Sequence, residues 1–327
     1  MTCAVISVDL KEGTAMKRKI SKKAVAAIVL CAAVTLAAVP TAVFLIRGNN
    51  SGVQLPAGFE EELSAQAFEN SADVRIMSSN LLVHYKSWGG TPAKPRAKQY
   101  TKMLELYSPD VVGIQEMSDS WYCLLRNNLP KKYKMLFPFS SGALVRMTAM
   151  IYNSETLSVV DSGNFKYEEC DNPRLRRVVW VVFEVKSSGK RFAVTNTHFD
   201  LLRDGREVEL TEVMRSQEKE LAAFADELNE KYNCPVMCVG DFNTMEDTPE
   251  TREIDIPEIY NSLAADMTDA KFNCKKQVCG GKQAWDYPSY DHIFIKGDAR
   301  ADTFALLSYD CLSEMSDHYP IFADIAL

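Results

Sequence analysis

Val239-Gly240-Asp241-Phe242-Asn243 closes an apolar run that begins at Val236, and it sets a carboxylate and an amide two residues apart, on one side of an extended chain. Alone, Gly-Asp at a strand end is an ordinary turn. Outward from it in both directions the same arrangement returns. Arg75-Ile76-Met77-Ser78-Ser79-Asn80 ends in an amide, Val111-Val112-Gly113-Ile114-Gln115-Glu116 in a carboxylate, and Val194-Thr195-Asn196-Thr197-His198 in an imidazole. Tyr290-Asp291-His292-Ile293-Phe294 opens a run with an acid, and Ser316-Asp317-His318-Tyr319-Pro320 opens the last one. Polar groups gathered beside apolar strands are costly to keep for packing alone. Their types supply oxygen ligands for a hard divalent cation, an acid-base pair, and donors for an anion.

Strand character recurs at 74–77, 111–114, 149–152, 178–185, 192–195, 236–239, 292–295 and 321–325, and helical spacing predicts helices over 96–107 and 212–232. In the second helix Val213, Leu221, Phe224, Ala225 and Leu228 share a face. The chain from 73 to 327 shows no internal repeat and reads as one α+β domain at the upper size limit for a single core. Strand pairs of this kind pack as two sheets face to face with helices outside.

The ordered set Asn80, Gln115-Glu116, Asn196-Thr197-His198, Gly240-Asp241-Phe242-Asn243, Asp291 and Ser316-Asp317-His318 resembles the endonuclease/exonuclease/phosphatase superfamily, the deoxyribonuclease-I-like fold, in a bacterial, membrane-anchored or exported form. Arg96, Arg215 and Gln217 are lesser matches, and Arg177, three residues before Trp180, is similar to an arginine of bacterial members. The resemblance spans nearly all of 73–327. It implies a four-layered αββα sandwich with the site at one end of the paired sheets. It also implies a phosphoester hydrolase, a phosphodiesterase above all, that uses Mg²⁺, with Mn²⁺ or Ca²⁺ as alternatives. Glu116 is then the principal metal ligand, with Asn80 and Asp317 beside it. Asp241 orients and deprotonates the attacking water, and Asn243 fixes that water and a phosphate oxygen. His198 and His318 face the phosphate, Asp291 orients His318, and Arg177 is either a phosphate contact or a salt-bridge partner. A catalytically inactive binding module on the same fold is the alternative, and the intact polar set speaks for the enzyme. DNA, RNA, phosphoinositide, sphingomyelin and small phosphodiesters all remain open as substrates.

Charge divides the chain. Of its 327 residues, 1–50 carry 7 basic and 2 acidic residues, while 51–327 carry 30 basic and 42 acidic, within a formal total of −7. So acidic a body argues against a stable, sequence-independent nucleic-acid complex, whose affinity comes from Lys and Arg on phosphates. The basic head, 1–23, precedes 23 uncharged residues at 24–46. As a helix these reach roughly 34 Å at 1.5 Å per residue, enough to cross a membrane. Positive charge before the segment keeps the head cytoplasmic and places the body outside the cell membrane. A cleaved signal peptide, which would release a secreted body, is the rival, though Ala37-Val39 would put Pro40 directly after the cut. Met16 gives the more usual start of such a region. Residues 47–72, with Gly48, Gly52, Pro56, Gly58 and the run Glu60-Glu61-Glu62, read as a linker.

The partners expected are therefore a phosphoester substrate and the membrane, with the body a monomer. Seven of the nine cysteines lie in the body, an odd number, and Cys274 and Cys279, flanking a short basic segment, read equally as a loop-closing disulfide or as two free thiols. His292, neighbouring Asp291 on a strand, faces the other way and reads as structural. His84 with Tyr85 and Trp88, and Arg203 with Asp204 and Arg206, read as loop residues around the site; Trp121-Tyr122 and Trp285-Asp286-Tyr287 read as core or substrate wall.

Overall fold

The computed structural model describes residues 53–64, 69–70, 72–87, 89–137, 147–173, 175–249, 251, 257–281 and 289–327. The basic head, the 24–46 segment, part of the linker, Trp88, Arg174, Trp285, Asp286 and Tyr287 lie outside the described residues. In chain order the first elements are α1 (Phe59–Ser64), β1 (Val74–Asn80), α2 (Ala93–Tyr107), β2 (Val111–Gln115), α3 (Asp119–Asn128), β3 (Tyr133–Leu136), β4 (Ala149–Asn153) and β5 (Leu157–Phe165). Then follow β6 (Val178–Val185), β7 (Arg191–His198), α4 (Glu207–Tyr232), β8 (Val236–Asp241), α5 (Pro257–Asp266), β9 (Thr268–Asp269), β10 (Lys276–Gly281), β11 (Asp291–Lys296), β12 (Arg300–Ser308) and β13 (Ile321–Ala326).

Two mixed sheets form, ordered β10-β12-β13-β1-β2-β4-β3 and β5-β6-β7-β8-β11-β9. Strands such as β6, Val-Val-Trp-Val-Val-Phe-Glu-Val, are apolar on both faces because both faces are covered. Three cores account for this. Tyr100, Met103, Leu104 and Trp121 of α2 and α3 pack on Met77, Val112 and Ile114 of the first sheet. Ile76, Val111 and Ile321 of that sheet meet Val181, Val194 and Val239 of the second. Met214, Leu221, Ala225 and Leu228 of α4, with Ile259 and Leu263 of α5, pack on the outer face of the second sheet through Ala193, Cys238 and Phe294. The layering is helix, sheet, sheet, helix, as the resemblance implied.

Some boundaries differ from the sequence reading. α2 begins at Ala93 because Pro95 falls in its first turn, where a missing N–H costs nothing. Part of the stretch read as a linker is packed: Phe59 and Leu63 of α1, each 1% exposed, enter the first core, while Glu60 pairs with Lys102 at 3.1 Å. Cys274 and Cys279 form no disulfide; Cys274 donates its thiol to Lys271 O at 3.6 Å, and Cys279 pairs with Ser308 Oγ at 3.5 Å.

The sheets are locked together at one end. Asn196 on β7 donates to Ile114 O at 2.9 Å and Ala149 O at 2.7 Å, and Gln115 Nε2 donates back to Asn196 Oδ1 at 2.7 Å. Gly113 permits this approach, since a Cβ there would lie 2.4 Å from Val239 Cγ2 and 2.9 Å from Asn196 Oδ1. Register then aligns the strand ends. Asn80 stands beside Gln115, and His198, Asp241 and Asp291 lie in one row across three neighbouring strands.

Candidate active site

Asp241 ends β8 with 1% of its surface exposed. Its Oδ1 accepts the Asn243 backbone N–H at 3.0 Å and its Oδ2 accepts Asn80 Nδ2–H at 2.9 Å. His198 Nε2 is 3.2 Å and His318 Nε2 3.8 Å from that same Oδ2. Burial is the main force on this carboxyl, raising its pKa to about 6; the nearby His318 charge opposes the rise and the Asp291 charge adds to it. It is thus ionised near neutral pH yet basic enough to take a proton.

The two histidines differ. His318 Nδ1 is 2.6 Å from Asp291 Oδ2. Burial works against its charge, but Asp291 and Asp241 together outweigh burial and lift its pKa to about 10, so it is an imidazolium at neutral pH. His198 has its pKa driven well below the ordinary value by burial first, then by the charges of Arg176 and His318. It is neutral, and its Nε2 lies beside Asp241 Oδ2. The site therefore holds one charged and one uncharged imidazole around one carboxylate.

Backbone strain gathers here too. Of the described non-glycine residues with positive φ, Ser108 and Asn233 close helices, and the others are Leu82 (51°), Glu116 (57°) and Asn243 (49°). All three lie just beyond strands that carry site residues, where such cost is commonly found at functional positions. Buried Arg96 fixes the first of these turns. It donates to the carbonyls of Leu81 (3.0 Å), Leu82 (3.2 Å), Val83 (3.3 Å), Lys86 (3.1 Å) and Met315 (3.1 Å), and Trp121 Nε1–H adds a bond to Leu82 O at 2.8 Å. Arg96 thus ties the turn after Asn80 to the chain leading into Asp317. Ser316 Oγ–H completes the tie with a 2.7 Å bond to Asn80 O.

Glu116 accepts the Val83 N–H on Oε2 at 2.9 Å, and the charges of Asp317 and Glu116 both act on Arg96, whose pKa burial nevertheless lowers. Asn80 Oδ1 takes the Leu82 N–H at 3.0 Å. No group of three or more His, Cys, Asp or Glu suited to holding a metal occurs among the described residues. The donors present, two carboxylates and an amide oxygen, suit Mg²⁺, which keeps several waters and needs only one or two protein carboxylates.

Arg177, expected as either a phosphate contact or a salt-bridge partner, has a polar partner on the neighbouring strand. Arg177 Nη1 donates to Asn164 Oδ1 on β5 at 3.0 Å. Its neighbour Arg176, 5% exposed, donates Nε–H to Asp200 at 3.0 Å and is the arginine whose charge reaches His198. Asp200 is held in turn by Gln217 Nε2 at 2.8 Å, which gives that helical glutamine its role. Asn243 spends its Nδ2–H on Phe199 O at 2.9 Å. His292 faces away, with Nε2 2.9 Å from Thr244 O; His84 Nδ1 is 2.7 Å from Ser118 Oγ; Arg203 and Arg206 each pair with Asp171 at 2.7 Å.

No family model and no curated protein matches the chain. Solved structures do. An endonuclease/exonuclease/phosphatase from Bacteroides vulgatus aligns over 78% of this chain and 98% of its own, with TM-score 0.62 and 20% identity. A mannosyl-6-phosphatase of Bacteroides thetaiotaomicron aligns over 78% and 100%, with TM-score 0.59 and 16% identity. TDP2 of D. rerio, complexed with a single-stranded DNA product, aligns over 78% and 99%, with TM-score 0.55 and 18% identity. At these identities the likeness establishes a shared fold.

Proposed function

We propose that this chain is a metal-dependent phosphoester hydrolase, acting as a phosphodiesterase by in-line attack of a water activated by Asp241. The observation that carries the reading is the Asp241 carboxylate, held by Asn80 and Asn243 and flanked by a neutral His198 and a charged His318. Phosphate esters repel nucleophiles, so catalysis needs positive charge at the non-bridging oxygens and a base in line with the leaving group. His318 supplies a fixed charge, kept protonated and oriented by Asp291. Arg176, anchored through Nε on Asp200, presents a second. Asp241 takes the proton of the attacking water while Asn80 holds its Oδ2 and the Asn243 N–H its Oδ1 in place. Glu116, Asp317 and Asn80 would hold Mg²⁺, which when bound adds charge at the phosphate and favours ionised Asp241.

The shared fold with phosphoesterases of widely different substrates supports the reaction class and leaves the leaving group open. The charge asymmetry of the sequence supports a location outside the cell membrane, attached through 24–46 or released by its cleavage, with the body a monomer forming no stable nucleic-acid complex. Hydrolysis of bis-p-nitrophenyl phosphate by residues 51–327 tests the reading. Turnover with Mg²⁺, abolished by EDTA and restored by added metal, is expected; no turnover with Mg²⁺, Mn²⁺ or Ca²⁺ points to a binding module. A panel of plasmid DNA, RNA, sphingomyelin, phosphoinositides and cyclic dinucleotides then ranks substrates.

A further inference from the structure

Behind the site lies a second polar cluster that the chemistry above does not use. Glu246, 4% exposed, follows β8 by five residues, and Lys271, 6% exposed, follows β9. Their side chains form an ion pair through Lys271 Nζ and Glu246 Oε1. The other carboxylate oxygen, Glu246 Oε2, accepts the Ser289 backbone N–H at 3.1 Å. Ser289 Oγ accepts the Asp291 N–H at 3.1 Å and donates to Asp291 O at 2.9 Å. Lys271 N–H is itself fixed by Asp269 Oδ1 at 2.8 Å, and Asp269 Oδ2 accepts Tyr260 O–H at 2.9 Å.

Such a pair is weak as a source of stability. Desolvating both charges offsets most of their attraction, and a well-packed apolar pair of similar volume is often as stable. What an apolar pair lacks is an acceptor for Ser289. That acceptor matters because β11 opens on a carboxylate directly opposite another: Asp291 faces Asp241 in the ladder, and the two are reconciled by the His318 ring, 2.6 Å from Asp291 and 3.8 Å from Asp241, so the position of the strand end decides whether that ring is held. The strand end must stay put, since Asp291 Oδ2 carries His318.

We infer that Glu246 and Lys271 are positioning residues, an internal clamp that holds the first residues of β11 through Ser289 and so fixes the carboxylate that orients His318. The catalytic half of this inference rests on the hydrolase reading; the structural half does not.

The test pairs Glu246→Gln with the double replacement Glu246→Leu/Lys271→Met, which removes both charges and fills their space, so that a folded clampless protein is obtained even where the single variant unfolds. Amide hydrogen exchange over 289–292 is measured first, at matched global stability. Faster exchange there, with protection unchanged in β8, is expected; wild-type protection in the double variant overturns the clamp whether or not the protein hydrolyses anything. Absence of turnover in the wild type would instead sink the hydrolase reading and leave the exchange result to decide the clamp. With turnover present, kcat falls about 10- to 100-fold at unchanged KM, the scale seen for outer-shell partners. In a His318→Ala background the same replacement changes kcat less than two-fold, because the clamp acts through His318. An equal loss in both backgrounds overturns the positioning role.

Discussion

Arg176 and Arg177 are adjacent in sequence and take different partners: Arg176 is anchored on Asp200 beside His198, and Arg177 reaches Asn164 on β5. Their substitution separates binding from architecture. Arg176→Ala should lower kcat/KM about 10- to 100-fold, the worth of a hydrogen bond to a charged group. Arg177→Ala should lower the melting temperature and move kcat/KM less than three-fold. Steady-state kinetics with thermal melts on both variants checks this, and reversed behaviour would return the phosphate contact to Arg177.

Asp241→Asn should reduce turnover by about 10²–10⁴-fold, the usual contribution of a positioned base. Since burial already disfavours the Asp241 charge, the amide should fold with a melting temperature no lower than wild type at pH 8. A collapse of the fold in circular dichroism would refute the assignment of burial as the main cause of its raised pKa.

The pH profile of kcat/KM should be broad. Turnover rises as Asp241 ionises, with an acid limb no higher than about 6 because a bound cation favours the carboxylate. It falls as His318 loses its proton near about 10. An alkaline limb near the ordinary histidine value of about 6.5 would mean that Asp291 does not hold the His318 charge.

The same interaction has a stability signature. The folded pKa of His318 lies above its unfolded value, so its contribution is complete below about 6.5 and is lost as pH rises through about 10. The stability gap between wild type and His318→Ala, on the order of a few kcal/mol, should therefore close across that interval. Urea titrations at pH 6 and pH 10 measure it; a gap that widens with pH contradicts the Asp291 pairing.

Gly240→Ala should be severe. An added Cβ would meet Thr197 O at 2.3 Å, and φ is 155°. Separating β7 from β8 at this point moves His198 from Asp241, so a loss of about 2 kcal/mol or more in chemical denaturation and near-complete loss of turnover are expected together. Retained activity would show that the row of His198, Asp241 and Asp291 tolerates a wider spacing.

The strand-end residues were legible because period-2 alternation within a strand decides which side chains share a face, as with Asp291 turned toward His318 and His292 turned toward Thr244. Arg176 and Arg177 precede β6, where no alternation yet applies, so spacing alone does not say which of the two lies nearer His198. β3, β5, β9, β10 and β12 escaped notice for related reasons. β3, β5, β9 and β10 are edge strands with partly exposed faces, and β12 carries a register shift between Ala301 and Thr303 that breaks its pattern. The Glu246–Lys271 clamp had no signal, being made by residues 25 apart that fall outside any motif.

The hydrogen bonds between Asn196 and the first sheet bear on how the chain folds. Asn80 and Asp241 are 161 residues apart, and Arg75 and Asp324, bonded at 2.6 Å, are 249 apart. The pairs Asn80–Asp241 and His318–Asp291 each join the two sheets, so a collapsed chain with both sheets formed but undocked keeps the row of His198, Asp241 and Asp291 and lacks Asn80 and His318 beside it. Contacts of such sequence separation form slowly. Recovery of turnover during refolding should consequently lag recovery of the far-ultraviolet signal, making catalysis the reporter of the last docking event.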